Sequence, residues 1–249
     1  MAINFGRQSV AQSLDKLQID QGLRSYMLQV YNYMTIGLAI TGAVSYFFAK
    51  LCFVFTDDGQ VLLTALGQAI YGSFIQWIII LAPLGFVFYL SSRINKISAS
   101  SAFITFCAFS AVMGLSMSYI FAVYTSASIA KVFFISSSVF LAMSLYGYTT
   151  KKDLTSWGSF LMMGLIGLII AMIVNIFLQS PLMGFVISCA GVLIFVGLTA
   201  YDTQKIKNMY LESDVEEISN KKALMGALRL YLDFINLFIM LLRLFGQRR

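Results

Sequence analysis

Two aspartates stand where a bilayer makes a carboxylate costly, and they are the residues of this 249-residue chain best placed to do chemistry. Asp202 lies in GLTAYDTQKIK, about one turn from the end of an apolar run, and Asp233 lies in LYLDFINLF, about ten residues into the last one. By helical rise Asp233 is roughly 15 Å deep. The two runs are consecutive and therefore antiparallel, which brings both carboxyls into the same half of a membrane. In low dielectric, two neighbouring carboxylates cannot both stay ionised cheaply, so the pair is expected to share a proton and titrate as one unit. Such a pair is a pH sensor or gate. Losing the proton separates two helices or recruits a cation, and carboxyl oxygens are hard ligands of the kind calcium takes. Asp202 and Asp233 are thus also the candidate calcium ligands. Arg229, one turn before Asp233, and Arg93, at the end of the second apolar run, are the candidate counter-charges. Asn236 is the candidate lining of a polar pathway.

These side chains need a frame. Arg229, Asp233, Asn236 and Arg243 fall at offsets of four, seven and fourteen, on one stripe of a helix. A polar stripe facing lipid is too costly, so the segment 223–246 is expected to be wrapped by other helices. Six more apolar runs precede it, at about 30–55, 74–92 (with Pro83 inside), 98–123, 129–149, 157–179 and 182–206. Each approaches the ~20 residues that cross a hydrocarbon core of ~30 Å. The fold class is an all-α polytopic membrane protein with seven transmembrane helices. Residues 1–27 form a polar tail whose Val10, Leu14, Leu17 and Leu23 give the spacing of a surface-lying helix, 28–246 form the membrane domain, and 247–249 form a short tail. Gly164 and Gly167 suggest close helix packing in the fifth run.

The composition agrees: 59% hydrophobic and 11% charged, against about 25% charged in soluble domains. The net charge of +6 is read as orientation signal, with no nucleic-acid partner. Eleven Lys and Arg flank one side of the seven runs and five the other, which predicts a cytosolic N-terminus and a C-terminus on the opposite side. The chain has no histidine, which excludes histidine metal sites, general bases and pH switches. Cys52, Cys107 and Cys189 are isolated and read as small hydrophobes. No nucleotide, phosphate-loop, zinc-protease or nucleophile-elbow motif occurs in a suitable context, so neither an enzyme nor a cofactor is expected. The acidic run Glu212, Asp214, Glu216, Glu217 lacks the spacing of a calcium loop.

AYDTQKI around Asp202, ALRLYLDFINLFIMLLRLFG around Asp233 and SLYGYTTKKDL at 144–154 resemble the Bax inhibitor family, the transmembrane Bax inhibitor motif proteins, over about 27–246. The resemblance implies that the last helix is central, wrapped by two three-helix layers. It also implies a pH-sensitive passive calcium leak gated by a hydrogen-bonded aspartate pair, which maps onto Asp202 and Asp233. In bacterial members an arginine near the end of the second helix bonds that pair in one state, and Arg93 is the arginine in that place here. The chain ends at Gln247, Arg248, Arg249, without the lysine-rich tail of some eukaryotic members, which points to a bacterial inner-membrane protein. The expected partners are the lipid bilayer and calcium. A second reading is a regulator or adaptor of a membrane quality-control protease or a cell-death factor, with that protein as partner. A third is an intramembrane aspartyl protease, for which Tyr201–Asp202 supplies the YD half, but Asp233 sits in LDF where such enzymes carry GxGD. A retinal-binding protein needs a lysine in the last span, and 223–246 has none.

Overall fold

In hydrocarbon a backbone must satisfy its own polar groups, so long apolar runs without internal breakers become helices. The computed structural model describes residues 2–56 and 60–249, with side chains from Gln21 onward. It contains α1 (Ala2–Cys52), a hairpin of β1 (Phe53–Phe55) and β2 (Val61–Leu63), α2 (Ala65–Tyr71), α3 (Ile75–Arg93), α4 (Ala99–Met117), α5 (Ile120–Val123), α6 (Ser126–Thr149), α7 (Thr155–Leu178), α8 (Pro181–Asn208) and α9 (Glu216–Phe245). Seven of these stretches are long and apolar enough to cross a membrane. The chain is an all-α integral membrane protein.

The core sits on α9. In its most apolar window 72% of residues are buried, against 11% in the peripheral α3 and α7. On one side α1, α3 and α4 pack together, and on the other α6, α7 and α8 do so, with α9 touching α1 and α4 from the first group and α6 and α8 from the second. The expected arrangement of two three-helix layers around the last helix is therefore present. Aromatic residues three apart divide the faces of α9. Tyr231 meets Phe106 and Phe109 of α4 at ring distances of 5.9 and 5.3 Å, and Phe234 meets Phe133 and Phe140 of α6 at 5.5 and 5.6 Å. Lipid is as apolar as these rings, so what holds α9 in place is close packing and polar contact rather than transfer from water.

Three boundaries differ from the sequence reading. Tyr26 and Met27 of α1 are already core residues, so the tail expected over 1–27 gives its last residues to the bundle. Gly22 lets the Tyr210 ring close against the helix, and Tyr26 packs on Tyr210 at 5.6 Å. The spacing of Val10, Leu14 and Leu17 lies outside the described side chains. Next, α1 ends at Cys52 rather than at 55, because Thr64 captures its last carbonyls, donating its hydroxyl to Leu51 O at 2.7 Å and its N–H to Cys52 O at 3.0 Å. The third run is interrupted after Met117, where the Ser118 hydroxyl donates to Leu115 O at 2.6 Å and meets the Tyr71 hydroxyl at 2.7 Å.

The small residues that allow close approach are also not those expected. A Cβ on Gly167 would meet nothing within 4 Å, and one on Gly164 only the flexible end of Ile194 at 3.4 Å. The tight crossings are at Gly147, against the backbone of Ala200, and at Gly114, against that of Thr41. Each joins two helices of the same layer.

Candidate functional site

The seam between α8 and α9 carries the acids. Ser180 caps α8 by accepting from Met183 N at 3.3 Å, with Pro181 at the first helical position, where its missing N–H costs nothing. Along the seam Gly191 faces Met240, and toward the other end Gly226 faces Ile206. That antiparallel register sets Asp202 level with Arg229 and about one turn from Asp233. The carboxyls of Asp202 and Asp233 come within hydrogen-bonding reach of each other. The sequence reading brought this pair together, and the structure places them so.

Their surroundings differ. Asp233 is 6% exposed, and its Oδ2 has no hydrogen-bond partner. The nearby polar side chains are engaged elsewhere: Asn236 Nδ2 donates to Leu232 O at 2.8 Å, and the Thr199 and Thr203 hydroxyls donate to Phe195 O and Thr199 O at 2.7 Å each. Asn236 is half-buried on α9, its amide N–H group turned to its own helix. Asp202 is the wetter acid, its side chain 15% exposed, and Arg229 Nη1 lies 3.6 Å from its Oδ1.

The two candidate counter-charges part here. Arg229 pairs across the seam with Asp202, whereas position alone suggested Asp233, its neighbour one turn on. Arg93 is exposed at the end of α3, a helix whose main contacts are with α4 and α2, and among the described residues it enters no ion pair. The pair's charge is met by Arg229 instead.

Nothing in the chain's composition pointed to a hydroxyl chain that ends beside Asp202. The Tyr31 hydroxyl of α1 meets Ser144 Oγ of α6 at 2.6 Å, and Ser144 Oγ meets Thr203 Oγ1 of α8 at 2.9 Å. Serines and threonines are common in apolar spans, so residue type gave no signal. Position did, since Ser144 opens the SLYGYTTKKDL stretch and Thr203 follows Asp202.

As a resident calcium site the donor set is poor. Calcium takes six to eight oxygens, but here two carboxyls share a seam with a guanidinium, and among the described residues no three acidic, Cys or His side chains cluster. What the arrangement can do is hold a proton. With one proton between them, the carboxyls form a hydrogen bond joining α8 to α9. With none, two negative charges face one partly exposed arginine, and the inner charge, on Asp233, is shut off from water.

Comparison with known proteins agrees with this architecture. The profile of the family described as "Inhibitor of apoptosis-promoting Bax1" matches residues 23–249. The inner membrane protein YbhL of Escherichia coli K12 is 47% identical over 234 residues, 92% of this chain and 94% of that one. A Rickettsia prowazekii protein is 46% identical over 230 residues, 92% of each chain, and a Streptococcus pyogenes membrane protein is 35% identical over 230 residues, 92% of this chain and 96% of its own. A match running through all seven spans places this chain in the Bax inhibitor family.

Proposed function

We propose that this protein is a pH-sensitive passive leak for calcium, gated by the proton shared between Asp202 and Asp233. What supports the reading is a buried Asp233 carboxyl with one oxygen unpartnered and with Asp202 as its neighbour across the α8–α9 seam. A carboxyl in that position is stable only while a proton or a cation meets it. Changing proton occupancy therefore changes how firmly α8 is held to the central helix. Exposed carboxylates then offer hard oxygens to a passing divalent cation, and Arg229 limits how tightly that cation is held, as a leak requires. The charge flanks orient the chain with its N-terminus and the α8–α9 loop on the cytosolic side, so the acids sit in the cytosolic half of the bilayer.

Reconstitution into liposomes loaded with a calcium dye tests the gate. The parent protein should admit calcium at a rate that changes with pH, and Asp202→Asn and Asp233→Asn should each flatten that dependence. If both variants leak like the parent at every pH, the gate is not this pair. Accessibility of single cysteines placed in the 208–215 loop and after residue 246 reads the orientation separately.

A further inference from the structure

The end of the bundle remote from the aspartates holds a second polar feature. A cavity of about 560 Å³ opens between the α7–α8 turn, α5 and the last turn of α9. Arg243 and Arg248 both line it, and no acidic residue does. We propose that this cavity binds a phosphate-bearing anion, held by the guanidinium groups of Arg243 and Arg248.

Three observations support the assignment. The first is charge. The three ion pairs among the described residues, Lys221–Glu217, Lys222–Asp214 and Arg229–Asp202, lie on the cytosolic half of α9 or its approach, and none includes Arg243 or Arg248. Two cations bordering one cavity repel each other until an anion enters. Guanidinium forks suit phosphate oxygens, offering paired N–H donors in a plane.

The second is preorganisation. Arg248 is not on a loose end, because its backbone pairs with Tyr124 in an antiparallel bridge. Thr125 N donates to Gln247 O at 3.1 Å, Arg249 N to Val123 O at 3.0 Å and Gln247 N to Ser128 Oγ at 2.8 Å. Arg249 lies over the Phe55 ring at 4.3 Å, tying the next residue down as well. The backbone at Arg248 is therefore already ordered, and only its side chain has freedom to lose on binding.

The third is the lining. Asn175, Gln179 and Ser180 give the cavity polar edges, while Phe185 and Ile239 give it apolar ones. Its size falls in the range of ligand sites, about 300–1,000 Å³. Just outside, Phe177 and Leu182 are largely exposed on the outer surface of α7 and α8, where lipid tails would lie. A lipid headgroup phosphate and a free phosphate from water would both reach the same two cations.

The test uses the whole protein in nanodiscs of phosphatidylcholine, with or without phosphatidylglycerol. Native mass spectrometry counts retained anionic lipid, and thermal unfolding with added inorganic phosphate gives the second arm. The parent should retain phosphatidylglycerol, and Arg243→Gln with Arg248→Gln should weaken retention about tenfold or more. Lys131→Gln removes an exposed α6 cation outside the cavity and should leave retention unchanged. Stabilisation by inorganic phosphate without lipid retention, lost in the double variant, supports the site with a soluble ligand. The assignment is overturned if the parent responds to neither ligand, if the double variant matches the parent, or if Lys131→Gln loses as much as the double variant. The replaced arginines are exposed, so all variants should fold, and their unfolding temperatures in phosphatidylcholine alone confirm it.

Discussion

The crossing of α6 over α8 gives a sharp test of how the site is held. Gly147 lies against the backbone of Ala200, and a Cβ there would stand 2.9 Å from both the Cα and the carbonyl carbon of Ala200, with the carbonyl oxygen nearer still. Ordinary contacts of this kind run at about 3.5–4 Å, so Gly147→Ala demands that the helices part by roughly 0.5–1 Å. The obstructing atoms are backbone and cannot rotate away. One turn back on α6, Ser144 meets Thr203 at 2.9 Å, and a separation of that size would stretch this hydrogen bond to the edge of its range. Overpacking of a close contact costs about 1–3 kcal/mol, and loss of the hydroxyl contact adds about 0.5–1.5 kcal/mol. Gly167→Ala is the matched control, since its Cβ meets nothing and alanine is the better helix former by about 0.5–1 kcal/mol. The two substitutions are chemically identical, and the structure predicts opposite signs. Reversible unfolding in mixed micelles should give a destabilised Gly147→Ala, with Gly167→Ala equal to the parent or more stable. A Gly147→Ala protein as stable as the parent would show that α6 and α8 are not packed backbone to backbone, and the reasoning would fail.

Two further outcomes follow from single contacts. Tyr231→Phe keeps a fully buried ring between Phe106 and Phe109 but removes the hydroxyl that meets Thr41 at 2.6 Å, while Thr41 keeps its bond to Ser110 O at 2.8 Å. The same unfolding assay should register a loss of about 0.5–1.5 kcal/mol, and no loss would mean the hydroxyl is unbonded in the native protein. Arg229→Gln removes the 3.6 Å pair with Asp202, but the arginine side chain is 40% exposed and the pair is screened, so stability should change by less than about 1 kcal/mol. Its effect should fall on the pH profile of calcium entry instead. A loss of several kcal/mol with an unchanged profile would make Arg229 a structural residue.

Much of this was legible because the bilayer is a strict solvent. A stripe of Arg229, Asp233, Asn236 and Arg243 within an apolar run predicts a wrapped helix, and α9 is wrapped, but of the stripe only Asp233 is buried: Arg229 and Asn236 are half-buried and Arg243 is exposed at the helix end. The facing of Asp202 and Asp233 followed from chain order and helical rise. The partner of Arg229 did not, because an intrahelical neighbour and one across a seam look alike in sequence, and only the α8–α9 register decides between them. The hairpin at Phe53–Phe55 and Val61–Leu63 was hidden for a similar reason: FVF continues the apolar composition of the span before it, and the signal that ends the helix is Thr64, twelve residues beyond Cys52. The glycine that matters, Gly147, has no sequence mark separating it from Gly167. Close approach belongs to the crossing, not to the residue.

The central helix also explains why a polar defect can persist at its middle. Tyr231 and Phe234, with the buried leucines around them, fix α9 on both layers, and among the described residues only Tyr26, Ser45 and Asp233 leave a buried side-chain polar atom unpartnered. An unmet buried polar group costs about 1–3 kcal/mol, which a helix packed along most of its length can carry. The hydroxyls of Tyr26 and Ser45 have no other protonation state within reach of neutral pH. Asp233 has one, and its nearest acid lies on a different helix. On the function proposed above, the same tension that would be only a defect at Ser45 would make, at Asp233, the hold between α8 and α9 depend on one proton.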